Sequence, residues 1–305
     1  MSVAAPLKAV ARAVAPTPLR AAWGRFYGGV KLERARRAFD RAGASPAGPL
    51  PVAALEQLMA RAYQPPDPVR YDPEGLVLRS REKIAQIERV VDLASIGRAL
   101  ELGAWDGMVA AALKIRGVAV AALDVSMGGV DARARAAGVS FLQSDACDIA
   151  LASGSIDLVY SFASFEHFPR PDRCLSEIER VLRPGGYAFL NFGPLYFSPY
   201  GRHAYRQIPV PFCHLLFDEQ TLRDCAARRG LPHDWPYVNG WGLRRYRELF
   251  RTMSYRLATL RYVEHSTGGV GVELIAAHPA LFRHLSSDFD EFLVPTIDIA
   301  LQKRR

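Results

Sequence analysis

Between residues 98 and 192 short apolar runs alternate with amphipathic stretches. The runs RALELG (98–103), VAVAALDV (118–125), VSFLQSD (139–145), SIDLVYSF (155–162) and YAFLNF (187–192) have the length and β-branched or aromatic content of strands. The stretches 106–116 and 129–137 read as helices between them. The spacing predicts a helix over 171–183, with Leu175, Ile178 and Val181/Leu182 on one face and Pro-Gly-Gly at 184–186 ending it. Nearly continuous apolar strands, alternating with helices over short connections, predict a doubly wound α/β fold. Its sheet should be mostly parallel and covered on both faces.

Flanking segments carry weaker patterns. Residues 43–51 and 64–75 are rich in Pro and Gly and read as loops around a short helix at 52–62. Ile84, Ile87 and Val91 stand at i, i+3 and i+7, which predicts an amphipathic helix over 79–94. Helices are expected at 218–229, 242–256 and 278–287, with a last strand in TIDIALQ. The expected organisation is a basic helical extension with linker over 1–78 and an α/β domain over 79–305. Residues 194–217 form a lid insertion in that domain.

Composition narrows the function. Half of the 305 residues are hydrophobic, which excludes a disordered chain. The longest uncharged stretch, 184–201, is broken by four glycines and three prolines, so no transmembrane segment is expected. Cys147, Cys174, Cys213 and Cys225 form no CxxC pair and no zinc-type Cys/His spacing. No disulfide framework and no metal is therefore expected, and a reducing cytoplasm is the natural compartment. Of the net charge of +8, the first 41 residues hold nine basic against two acidic side chains. Such a basic head is compatible with contact to an acidic membrane surface, while no nucleic-acid partner is expected. Pro6, Pro16, Pro18, Gly24, Gly28 and Gly29 interrupt any long amphipathic presequence, and Lys8 and Arg12 break a secretory apolar core. The first 80 residues are also where a homo-oligomer interface or a substrate cap could be built.

Ligands of such sheets bind beyond the carboxyl ends of the strands. The first run ends in ELGAWDG (101–107), where Gly103 permits a tight turn and Gly107 close packing at a helix start. The second ends at Asp124, about 20 residues on, the spacing of an acid that holds a ribose diol. The third ends in Asp145-Ala146, where an adenine amine can be read.

Taken together, ALELGAWDG, LDVS, QSDA, SIDLVYSFASFEHF and CLSEIERVLRPGG resemble the class I S-adenosylmethionine-dependent methyltransferases, closest to the small-molecule (type 11-like) branch. The resemblance covers about 98–192. It implies a seven-stranded Rossmann-like sheet whose last strand is antiparallel. It also implies S-adenosylmethionine as cofactor. Glu101, Gly103, Ala104, Trp105 and Gly107 would hold its methionine part. Asp124 and Val125 would take the ribose, Asp145 and Ala146 the adenine, and Ser161 and Phe162 the region of the transferring methyl. Trp105 departs from the family pattern, which usually has glycine there; its ring must point away from the cofactor or stack beside it.

Methyl transfer to oxygen benefits from a base near neutral pKa. His167, in FEHF after the fourth strand, is the first candidate and His203 in the lid the second. Glu166, Tyr200, Arg202 and Tyr205 are candidates for binding the acceptor. Arg244, Arg247 and Arg251 could share a helix face and meet an anion, or simply be solvated. The expected function is methylation of a small molecule, most readily at a hydroxyl oxygen. The alternative is a methyltransferase-like scaffold that binds cofactor or partner without turnover. A nicotinamide dehydrogenase is disfavoured, because GAWDG lacks the GxGxxG spacing.

Overall fold

The computed structural model describes residues 17–44 and 48–305, with side chains from residue 28 onward. The basic residues Lys8 and Arg12 and the prolines at 6 and 16 lie outside the described residues, as do residues 45–47 of the first Pro/Gly-rich segment. The elements run in chain order as follows. Helices α1 (Thr17–Arg41), α2 (Val52–Met59) and α3 (Pro73–Glu88) precede β1 (Arg98–Leu102). Then come α4 (Met108–Ile115), β2 (Ala119–Asp124), α5 (Ala132–Ala136), β3 (Ser140–Gln143), β4 (Ile156–Phe162), α6 (Pro171–Val181) and β5 (Leu182–Phe192). The chain ends with α7 (Cys213–Leu216), α8 (Glu219–Arg228), α9 (Leu243–Met253), β6 (Leu257–His265), α10 (Val272–Ala277), α11 (Pro279–Leu285) and β7 (Thr296–Lys303). None of the helices among the described residues is long and apolar enough to cross a membrane.

Two units result. One combines the segment up to Pro49 with Thr267–Phe289; the other holds Leu50–Ser266 and Asp290–Arg305. In the smaller unit α1 packs on α10 and α11. Ala35, Phe39, Leu274, Ile275 and Phe282 are buried there, and Phe39 meets Phe289 with ring centroids 5.3 Å apart. Arg36 and Arg283 lie over the rings of Phe289 and Phe39.

The larger unit contains a seven-stranded sheet in the order β3-β2-β1-β4-β5-β7-β6. The first five strands are parallel, and β7 runs antiparallel between β5 and β6. The apolar runs of the sequence become strands because both sheet faces are covered. On one face α3 and α4 bury Ile84, Ile87, Val109 and Leu113 against Leu158, Tyr160 and Phe189. On the other, α6 and α9 bury Leu175, Ile178, Tyr246 and Phe250 against Val159, Leu190 and Ile299.

Several boundaries differ from the sequence expectation. The helix read as 79–94 starts at Pro73, because Asp72 caps it, accepting from the Gly75 N–H at 3.0 Å, and proline suits its first turn. The Pro-Gly-Gly segment does not separate α6 from β5: the helix stops at Val181 and the strand begins at Leu182, paired with Ile156 across an irregular register. Strand β6 has no counterpart in the sequence expectation, and α10 precedes the helix expected at 278–287.

The order of strands reverses between β1 and β4, since the chain moves outward from β1 to β3 and returns to β4. A crevice beyond the carboxyl ends at that point is where such sheets take ligands.

Candidate active site

The turn after β1 is shaped by backbone geometry. Gly103 has φ +68°, and a Cβ there would stand 2.4 Å from the Ser164 side chain in the turn after β4. Only glycine allows both the conformation and the approach. The Ser164 hydroxyl lies within hydrogen-bond distance of the Gly103 and Phe162 carbonyls, so it fastens the two turns together. Trp105 adopts φ +48° without being glycine. Its N–H donates to Asp124 Oδ2 at 2.9 Å, and its half-exposed ring rests against Gly129 in the loop after β2.

Asp124 ends β2 with its Oδ1 accepting from the Ser126 N–H at 3.0 Å. Each of its oxygens therefore has one backbone partner and a second acceptor site in hand. Val125 beside it is 69% exposed. Asp145, after β3, accepts from the Cys147 N–H at 2.8 Å, and Ala146 is buried. Ser161 is fully buried and donates to the Leu102 carbonyl at 2.9 Å, so its hydroxyl joins β4 to β1.

Helix α3 supplies two residues that the sequence reading did not single out. Arg79 pairs with Asp106 in the β1–α4 turn, and Asp106 also accepts from the Met108 N–H. One turn on, Lys83 lies over the Phe162 ring, 4.9 Å from its centroid. Glu101 is buried at the end of β1, where its Oε2 accepts from the Ala110 N–H (3.1 Å) and the Tyr160 hydroxyl (3.3 Å). Burial raises the Glu101 carboxyl and lowers the Lys83 ammonium, while their mutual attraction opposes both shifts. The available signal was two cations at i and i+4 on an otherwise apolar helix face.

The turn after β4 carries Glu166 and His167. Asn239 holds it, donating its backbone N–H to the Glu166 carbonyl and lying within side-chain hydrogen-bond distance of the Phe165 and Phe168 carbonyls. Glu166 is 3% exposed, and neither carboxylate oxygen has a hydrogen-bond partner among the described residues. Burial pushes its pKa up to about 8; the nearby amides of Glu166 and Gly193 and the Lys83 charge oppose the shift, but neither amide reaches good hydrogen-bond geometry. His167 Nδ1 lies 2.5 Å from the Tyr237 carbonyl, and its Nε2 is 3.9 Å from Glu166 Oε1. The His203 ring is 4.8 Å from that of His167. His203 sits at φ +60°, and its buried Nε2 has no partner among the described residues. Burial lowers the pKa of His167 and, with the adjacent His167, brings that of His203 down to about 3.

The fold thus joins Glu166, His167 and His203, although the last lies 36 residues away in the chain. The other candidates in 194–217 are engaged differently. Arg202 bonds Glu219 at 3.0 and 3.2 Å and the Pro236 carbonyl at 2.8 Å. Tyr200 donates to the Gln64 carbonyl and meets Tyr205 edge-on at 5.7 Å. On α9, Arg247 pairs with Glu264 and Arg251 with Glu248, so these two face carboxylates of the chain itself.

Comparisons with known proteins agree with this geometry. Residues 100–190, from β1 to β5, match the family model described as a methyltransferase domain. A fatty-acid O-methyltransferase of Mycolicibacterium smegmatis is 34% identical over 119 residues, covering 37% of this chain and 43% of that protein. A malonyl-acyl-carrier-protein O-methyltransferase of Methylococcus capsulatus is 38% identical over 105 residues, covering 32% and 38%. An uncharacterized methyltransferase of Mycobacterium ulcerans is 28% identical over 193 residues, covering 62% and 71%. The matches thus span less than half the length of the first two relatives and most of the third. Over β1 to β5 the chain is thus similar to methyltransferases, and the family match is confined to that domain.

Proposed function

We propose that this protein transfers a methyl group from S-adenosylmethionine to an oxygen atom of a small-molecule acceptor. The observation that carries the reading is the set of groups at the β1–β4 crevice: the Gly103 turn, Asp124 with free acceptor capacity, and exposed Val125 beside it. Those groups suit the cofactor, because a carboxylate recognises ribose hydroxyls and an apolar edge recognises a purine. Asp124 would take the ribose, Asp145 and Ala146 would flank the adenine, and Glu101 with the Gly103–Gly107 turn would stand on the methionine side. When bound, S-adenosylmethionine supplies a methyl group already activated on sulfonium sulfur.

The chain must then orient an acceptor oxygen and accept its proton. His167 is suited to that, because its Nδ1–H donates to the Tyr237 carbonyl and leaves Nε2 as the lone-pair atom. His203 Nε2, unpartnered and within ring contact of His167, is the second candidate. Their lowered pKa values keep both imidazoles neutral at neutral pH, but at about 3 His203 is a weak base, which favours His167 for that role. We read residues 79–305 as the catalytic domain and 194–217 as its lid. Oxygen as the acceptor atom draws support from the two relatives named as O-methyltransferases.

Calorimetric titration with S-adenosylmethionine tests the reading. Asp124→Ala should weaken binding by about 10- to 150-fold, the equivalent of one charge-assisted hydrogen bond of 1.5–3 kcal/mol. Formation of S-adenosylhomocysteine on addition of fatty acids or hydroxylated acceptors would follow. No binding by the wild-type protein at millimolar cofactor would overturn the enzyme reading in favour of a scaffold, with Trp105 as the first residue to suspect.

A further inference from the structure

We propose that Glu166, His167 and His203 form a binding site for a divalent transition-metal ion of the zinc type. One ligand atom from each residue lies within 4.8 Å of the others. Two imidazoles and one carboxylate are a donor set for zinc, iron(II) or manganese(II) that leaves positions open for an exogenous ligand.

Three independent features favour an ion over a merely structural cluster. Glu166 is almost fully buried with both oxygens unpartnered among the described residues, an arrangement that costs free energy unless a cation or donor arrives. His203 Nε2 is likewise buried and unpartnered. His167 shows the arrangement typical of a ligating histidine: one ring nitrogen is tied to a backbone carbonyl, here Tyr237, which fixes the tautomer and turns Nε2 toward Glu166. The left-handed backbone at His203 adds a local conformational cost at the residue that completes the set.

The charges nearby are compatible with an ion. Arg202 stands closest to His203 in the lid but is already neutralised by Glu219. Lys83 acts on Glu166 from α3, yet Glu101 and Asp106 share its charge. Ligand atoms around tetrahedral zinc are about 3.3 Å apart, so the three groups must each close in by about an ångström. Rotation of the Glu166 and His203 side chains supplies that movement. On the methyltransferase reading, an ion here would occupy the lone pairs of His167 and His203 and would itself lower the pKa of the acceptor oxygen, in place of the base role given to them above. The binding proposal itself does not depend on that reading.

The test uses the full-length protein, stripped with a chelator and titrated with zinc or cobalt(II) in the absence of S-adenosylmethionine. We expect a single ion per chain at micromolar affinity or tighter, with a cobalt absorption band of a nitrogen- and oxygen-ligated site. Glu166→Gln and His203→Ala should each weaken binding by more than tenfold, at or beyond the loss of about 10- to 100-fold that outer partners alone produce. His265→Ala, which removes a surface histidine paired with Asp298, should leave it unchanged. Should the variants misfold, imidazole resonances of the wild-type protein decide: zinc should shift those of two of the seven histidines, His167 and His203. Absence of stoichiometric binding at a hundred micromolar metal, or shifts confined to other histidines, would overturn the proposal. Loss of cofactor binding with metal binding intact would refute the methyltransferase reading alone.

Discussion

Acidification should loosen the 194–217 segment through His214. This residue lies on α7 with its Nε2 2.5 Å from the Tyr196 carbonyl and its Nδ1 buried without a partner among the described residues. Burial brings its pKa from 6.5 down to about 4, against the pull of the Tyr196 carbonyl. The folded state therefore refuses a proton that the unfolded chain accepts. Stability is complete above pH 6.5 and falls as the pH drops toward 4, by up to about 1.4 kcal/mol per pH unit. The whole interval is worth at most about 3 kcal/mol at 1.36 kcal/mol per unit, and about 2 kcal/mol after allowing for the partial exposure of the residue. Urea unfolding of the wild type and of His214→Gln, at several pH values from neutral to about 4, measures this. Glutamine can still donate to Tyr196 but cannot titrate. The stability advantage of the wild type at neutral pH should shrink by about 2 kcal/mol across the interval. Other titrating groups cancel in the difference. A gap that stays constant within about 0.5 kcal/mol would show that His214 accepts its proton in the folded state, and the burial argument would fail.

Other consequences are equally open to measurement. Arg79→Ala removes the main partner of the largely buried Asp106, leaving Lys83 and Arg133 to compensate in part, and should cost about 2–4 kcal/mol in denaturant unfolding, while Arg79→Ala combined with Asp106→Asn should recover part of it. An equal loss in single and double variants would refute the pairing. Gly103→Ala must place a Cβ 2.4 Å from Ser164 at φ +68° and should lower stability by more than about 2 kcal/mol; a melting temperature unchanged from wild type would contradict the close approach. Trp105→Gly relieves about 1–2 kcal/mol of left-handed backbone cost but gives up the ring contact with Gly129 and some chain entropy, so stability should stay within about 1 kcal/mol. A drop beyond about 3 kcal/mol would make the ring a structural anchor.

The central strands were legible because burial on both faces forces them to be apolar throughout. Strand β6 was not: it lies at the sheet edge, only Leu257 is buried, and Arg261, Glu264 and His265 interrupt the pattern. The acids and glycines at the strand ends could be placed from sequence, because a parallel sheet puts every strand's carboxyl end on one side. What each side chain does there could not. Ser161 turned out to bond the sheet, and Arg202 to bond Glu219. Arg79 and Lys83 lie within the helix expected over 79–94, but its periodicity says nothing of which cations meet the turns after β1 and β4. The expectation of no metal rested on local Cys/His spacing. Glu166 and His203 meet through a loop whose path no periodicity encodes, so that criterion is blind to them.

The smaller unit has a consequence for biosynthesis. Its helix α1 ends at Arg41, yet its packing partners α10 and α11 begin only at Val272. At about 5–20 residues per second, a ribosome needs about 10–50 s to bridge that interval. Throughout it, Phe39 and Ala35 have no native surface to bury against in that unit, while β1 to β4 already have their neighbours. The nascent chain must therefore carry an exposed apolar, basic helix past a folding α/β sheet, a stretch on which a chaperone would find its opportunity.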